Sequence, residues 1–173
     1  MPTDRSLEIR PARIEDVPAI RSVHRRSIRE LGRRAYDEHQ IDAWAAGCDD
    51  ADYTASIEAT GGCVLVAERG GEVVGFASGT TDPDEDDVDA EVTGLYVAPS
   101  VARRGIGSAL LAALEGQLAP RGSARIGLTA SRNAVGFYER HGYAVREPRT
   151  HEFSPHLETG VTGTVVRMRR DLG

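Results

Sequence analysis

The stretch from Glu91 to Leu111 constrains the fold more than any other part of the chain. Glu91 to Val97 has the composition of a strand and Pro99 ends it. From Gly105 to Leu118 the residues Ile106, Leu110, Leu111, Leu114 and Leu118 recur on one face of a helix. Gly105 and Gly107 at the start of that helix let backbone N–H groups converge on one point, where the helix dipole adds positive potential. A pyrophosphate can bind there without a lysine, with Arg103 and Arg104 beside it; the plainer reading is a tight strand-to-helix connection. It is not the dinucleotide fingerprint, because Leu110 stands where the third glycine would be.

All 21 Lys+Arg residues are arginine, which removes the lysine-dependent P-loop. With 27 acidic residues the net charge is −6, so the phosphate-neutralising surface of a nucleic-acid binder is not evident. The length of 173 residues fits a single domain, 1–173, and the 40% hydrophobic content is that of a globular protein. No apolar run approaches the roughly 20 residues of a membrane span, and the N-terminus lacks the apolar core of a signal peptide. The expectation is a cytoplasmic protein, monomer or homodimer, with no membrane and no nucleic-acid partner. Cys48 and Cys63 form no framework and no CxxC pair, so reduced thiols and no metal are expected.

Periodicity predicts a strand at Leu7 to Arg10, a helix capped by Asp16 and running to Gly32, a second helix at Asp37 to Ala46 and a short turn or helix at Asp52 to Ala59. A hairpin follows, Cys63 to Glu68 and Val73 to Thr80 around Gly70 and Gly71. After the central segment come a strand at Arg125 to Thr129, a short helix at Asn133 to Arg140, and strands at Tyr143 to Arg149 and Val161 to Arg169. The order indicates an α+β or mixed α/β domain.

Ala102 to Gly107, followed by Asn133, Phe137, Tyr138, Gly142 and Tyr143, resembles the GCN5-related N-acetyltransferase (GNAT) superfamily. Ala102 departs from the Gln or Arg that opens the family's cofactor motif. The resemblance implies a central mixed, mostly antiparallel sheet of six or seven strands flanked by helices, with two parallel strands splayed to hold acetyl-CoA. It implies an N-acetyltransferase in which an amine of a small-molecule or peptide acceptor attacks directly in a ternary complex. The alternative is an acyl-CoA-binding sensor of the same fold.

The resemblance also assigns residues. Backbone from Arg103 and Arg104 through Gly105, Ile106 and Gly107 to Ser108 would hold the pyrophosphate, and backbone at Leu95, Tyr96 and Val97 the pantetheine arm, with Gly94 marking a β-bulge. Glu91 matches the family's general base, or is a solvated strand residue; alternation sets it on the side of Thr93, Leu95 and Val97 unless the bulge intervenes. Tyr138 matches the tyrosine that protonates the departing thiolate, or packs in the core, for which Phe137 is the better candidate. Asn133 either bonds the cofactor or caps the short helix. His24, on the apolar side of the first helix, reads as a satisfied core histidine. His151, Glu152 and His156 fall in one predicted loop without metal-ligand spacing. Tyr36 and Trp44 are core residues or touch the acceptor. The acidic run Asp82 to Asp87 is an exposed loop or a device that concentrates a cationic acceptor.

Overall fold

A computed structural model of the chain describes residues 6–120 and 124–173. Seven strands form one mixed sheet in the order β1-β2-β3-β4-β5-β7-β6: β1 (Leu7–Pro11), β2 (Gly62–Arg69), β3 (Glu72–Thr80), β4 (Ala90–Val97), β5 (Ala124–Ser131), β6 (Ala144–Glu152) and β7 (Thr162–Leu172). Every neighbouring pair is antiparallel except β4 and β5. The helices are α1 (Val17–Leu31), α2 (Glu38–Ala46), α3 (Tyr53–Glu58), α4 (Ile106–Leu118) and α5 (Val135–Arg140).

The main core lies between the sheet and α4, whose Ile106, Leu110, Leu111, Leu114 and Leu118 are all buried as their spacing predicts. Two glycines on the facing strand let the helix come close. A Cβ on Gly79 would sit 2.9 Å from Leu118 Cδ1, and one on Gly75 would sit 3.0 Å from Leu110 Cδ1. On the other face Ile20 and Val23 of α1 pack on Val66 and Phe76. A third cluster joins α2 to the β6 end of the sheet through Ile41, Tyr36 and Phe153. Helices α1 and α2 therefore wall the open face beside β4, and α4 and α5 close the opposite face.

Local signals explain where the elements begin and where the predicted boundaries shift. Asp37 caps α2 by accepting from Gln40 N at 2.8 Å, while Gln40 Oε1 accepts from Asp37 N at 3.0 Å, a reciprocal capping box. Asp16, expected to cap α1, does not. Its carboxylate accepts from Arg13 N and from both Arg10 terminal nitrogens, closing a 3-10 turn that precedes α1. β6 runs three residues past the predicted Arg149, because Thr150, His151 and Glu152 pair with Thr164, Gly163 and Thr162. His151 and Glu152 thus stand on a strand.

Candidate active site

A cleft of about 750 Å³ opens between the C-terminal end of α1, the start of α4, and α5. Its floor at α4 is backbone. Gly105, the residue before the helix, sits at φ +82°, and Arg103 at φ +63° shares the left-handed region that glycine adopts freely and arginine rarely does. The first helical bond runs from Ala109 N to Gly105 O at 3.1 Å, which leaves the N–H groups of Ile106, Gly107 and Ser108 without helical partners at the positive end of the dipole. Ile106 can offer only that N–H, since its side chain is in the core. Arg34, Arg103 and Arg140 line the cleft and, among the described residues, no carboxylate does. Arg104 is exposed and does not line the cleft.

Asn133 also lines this cleft, within a 3-10 turn, and it does not cap α5; the residue before that helix is Ala134, with no side-chain cap. The start of α4 is tied to the end of α5 by His141, whose Nδ1 donates to Phe137 O at 2.7 Å and whose Nε2 meets Ser108 Oγ at 2.9 Å. Phe137 is the half-exposed member of its pair and Tyr138 the buried one, the reverse of the expected core assignment. Gly107 faces the Phe137 ring, which lies 3.4 Å from where a Cβ on the glycine would be.

β4 and β5 separate along their length. They pair in parallel only at Ala90–Ile126, Glu91–Gly127 and Val92–Leu128, while β4 continues to Val97 on its β3 side. The edge of Leu95, Tyr96 and Val97 that faces β5 is left without a strand partner, and all three residues line the cleft. The divergence follows a bulge. Ser78 pairs with Gly94 but Gly79 pairs with Val92, so Thr93 is the extra residue, next to the glycine that suggested it. Beyond it Leu95 and Val97 face α4, like Val92, whereas Glu91 is opposite Thr80 and lies on the face of Tyr96. The bulge thus separates Glu91 from the side of Leu95 and Val97.

A second cleft, about 260 Å³, continues from the splay toward α2 and β6, lined by Trp44, Thr93, Thr129, Tyr138, His151 and Phe153 among others. Tyr138 and Trp44 line both clefts. Burial pushes the Tyr138 phenol above its ordinary range, which keeps its proton in place. Tyr36 is buried; its hydroxyl donates to Thr164 O at 2.8 Å and accepts from Arg132 N, a structural role.

Glu91 lines neither cleft. Its Oε1 accepts from Arg167 Nη1 at 2.5 Å, and Arg167, 4% exposed at the side chain, also lies 3.3 Å from Glu85. Glu85 belongs to the acidic loop and is pinned by Arg149 as well, which holds its carboxyl below the usual carboxylate range. His24 is held against Tyr96, with ring centroids 4.2 Å apart, and its Nδ1 meets Tyr53 Oη at 2.8 Å. Burial pushes its pKa down to about 4, as suits a neutral core histidine.

A sequence profile of the acetyltransferase (GNAT) family matches residues 26–143. The chain belongs to that family. Among curated proteins no sequence match is found. A GCN5-related N-acetyltransferase structure from Rhodopseudomonas palustris, whose name also carries "Aminotransferase, Class-II", is 30% identical with a TM-score of 0.82, and the match covers 96% of each chain. The PaiA N-acetyltransferase of Thermoplasma acidophilum, solved with coenzyme A, is 22% identical with a TM-score of 0.69 over 96% of this chain and 99% of that one. The ribosomal-protein-S18-alanine N-acetyltransferase of Escherichia coli shares the fold at 19% identity and a TM-score of 0.64, over 97% and 95%. As a GNAT member the chain is an acyltransferase whose acyl donor is acetyl-CoA.

The residues fit that donor. Free N–H groups at a helix start, three arginines and no carboxylate suit a pyrophosphate, and an unpaired strand edge suits an amide-bearing arm. The sequence gives Arg34, Arg140 and His141 no sign of this placement, because their approach to the cleft depends on how α1 and α5 pack. His151 gives no such sign either, because the exposed edge strand that carries it shows no alternation of buried and exposed residues.

Proposed function

We propose that the chain is an N-acetyltransferase that moves the acetyl group of acetyl-CoA to the amine of a small-molecule or peptide acceptor by direct attack in a ternary complex. One observation carries the reading: the splay of β4 from β5 joins a large cleft with basic, N–H-rich walls to a small cleft without charged side chains, and Tyr138 lines both. Acetyl-CoA supplies a thioester carbon open to attack by a neutral amine. In this reading Arg103 to Ser108 and Asn133 hold the phosphates, with Arg34 and Arg140 as added cations. The open edge at Leu95 to Val97 aligns the arm and polarises the acyl carbonyl. Tyr138 keeps its proton until negative charge develops beside it, and then donates it. The cytoplasm is the compartment in which we place this activity, in keeping with the free thiols of Cys48 and Cys63. Among the described residues no helix is long and apolar enough to cross a membrane.

Release of free thiol from acetyl-CoA, measured with a panel of amines, tests the reading together with calorimetry of coenzyme A binding. Thiol release that depends on an amine is the expected result. Binding without release from any amine would favour the sensor alternative.

A further inference from the structure

We propose that His151 is the residue that takes the proton from the attacking amine, an assignment that rests on the transfer reading above. Attack leaves a proton on nitrogen that must pass to a base within reach of the acyl end of the site. Three titratable side chains line the small cleft: Tyr96, Tyr138 and His151. Burial pushes both phenols up, so both hold protons and offer no free base. The imidazole alone has a lone pair to give. Other candidates are spent elsewhere. Glu91 lines neither cleft and is paired with Arg167; His24 lines neither and is packed against Tyr96. His141 lines only the large cleft, with both ring nitrogens engaged by Phe137 O and Ser108 Oγ.

The setting of His151 suits the task. The ring stands edge-on to Phe153, with centroids 5.6 Å apart at 84°, and its strand position opposite Gly163 puts it at the rim of the cleft, where it is exposed and can exchange protons with solvent. The side of the ring that lies against the cleft wall is desolvated, which leaves the pKa below the ordinary imidazole value although Glu152 on its own strand favours the protonated ring. The neighbouring lining side chains from α2, β4, β5 and β7, namely Trp44, Thr93, Thr129 and Val165, carry no charge. The ring is therefore neutral near pH 7 and ready to accept.

The amine nitrogen forms a bond to the acyl carbon and loses its proton to a ring nitrogen of His151. The carbon–sulfur bond breaks, and the sulfur takes the phenolic proton of Tyr138. His151 then passes its proton to solvent and Tyr138 regains one, so both return to their starting forms.

The experiment compares wild type with His151→Gln, using propylamine, tyramine, spermidine and an alanine-ended peptide as acceptors. Thiol release is followed across pH, coenzyme A affinity by calorimetry, and the imidazole signals of the protein by NMR with and without acetyl-CoA. For wild type kcat/KM, expressed per neutral amine present at each pH, should fall on the acid side, below the ordinary imidazole pKa of about 6.5. His151→Gln should lose about 100-fold in kcat/KM, and lose that acid limb, with coenzyme A affinity unchanged. The NMR signal missing from His151→Gln should move in wild type when acetyl-CoA is added. Wild-type rate and pH profile in His151→Gln, or a signal that acetyl-CoA does not move, would overturn the assignment while leaving the transfer reading intact. Coenzyme A binding with no thiol release from any of the four amines would count against the transfer reading and the inference together.

Discussion

Glu91→Gln separates a structural carboxylate from a catalytic one. Arg167 is almost wholly buried, and its Nη2 has no hydrogen-bond partner among the described residues. Gly127 leaves room for the guanidinium, since a Cβ there would lie 2.4 Å from Nη2. Two carboxylates compensate the charge: Glu91 at 2.5 Å and Glu85 at 3.3 Å. Removing one partner of a buried pair costs about 3 to 5 kcal/mol, and a hydrogen bond to a charged group is worth about 1.5 to 3 kcal/mol. Because Glu85 remains and glutamine can still accept, the lower figure applies, about 2 kcal/mol. For a chain of this size that lowers Tm by about 4 to 8 °C. Thermal unfolding by circular dichroism measures it, and single-turnover acetyl transfer well below both midpoints measures the chemistry. The account expects the loss of Tm with a rate within about threefold of wild type, under 1 kcal/mol of barrier. An unchanged Tm with a rate lowered about 100-fold would refute it and return the general-base role to Glu91.

Three further outcomes follow from the same geometry. Gly107→Leu adds a side chain where Phe137 and Val97 lie 3.4 and 3.7 Å from a Cβ, so the cleft fills and calorimetry should show coenzyme A affinity reduced by at least about tenfold, with the fold retained; unchanged affinity would exclude this backbone from the phosphate site. Tyr138→Phe keeps the buried ring and removes the proton, so single turnover should slow by about 100-fold while coenzyme A affinity holds; a normal chemical step would leave Tyr138 with packing alone. His24, with a pKa pushed down to about 4 from 6.5, stays neutral in the fold while the unfolded chain takes up a proton, so stability is full above about pH 6.5 and declines as pH falls toward 4, by up to about 3 kcal/mol. Denaturant titrations of wild type and His24→Gln across that range should show a steeper decline in wild type, and equal slopes would contradict the neutral state of the folded imidazole.

Much of the fold was legible because its signals are local. The α4 stripe and the glycine turn before it depend on spacings of a few residues, and each is found where periodicity put it; the Asp37 to Gln40 box that starts α2 is equally local. Part of the large cleft was legible for the same reason: Gly105 and Gly107 sit in one short turn at a helix start, and Asn133, beyond α4 and β5, lines the same cleft. The small cleft and the surroundings of Glu91 were not. Glu91 and Arg167 stand 76 residues apart, and strand alternation carries no information about a partner two strands away. The one-residue bulge at Thr93 then reverses the face on which alternation set Glu91 relative to Leu95. Asp16 has the residue type of a helix cap, but a nearby arginine, Arg10, offers it two charge-assisted bonds instead. His151 was hidden by an early strand end at Arg149, where Pro148 and a run of exposed charged residues mask the alternation of an edge strand.

Mass spectrometry of amines incubated with acetyl-CoA and the protein reads the transfer itself. At least one amine should gain a single acetyl group, with one equivalent of free coenzyme A released for each acetyl transferred, and Tyr138→Phe should slow both together. Coenzyme A that binds the protein in calorimetry while every amine stays unmodified would contradict it.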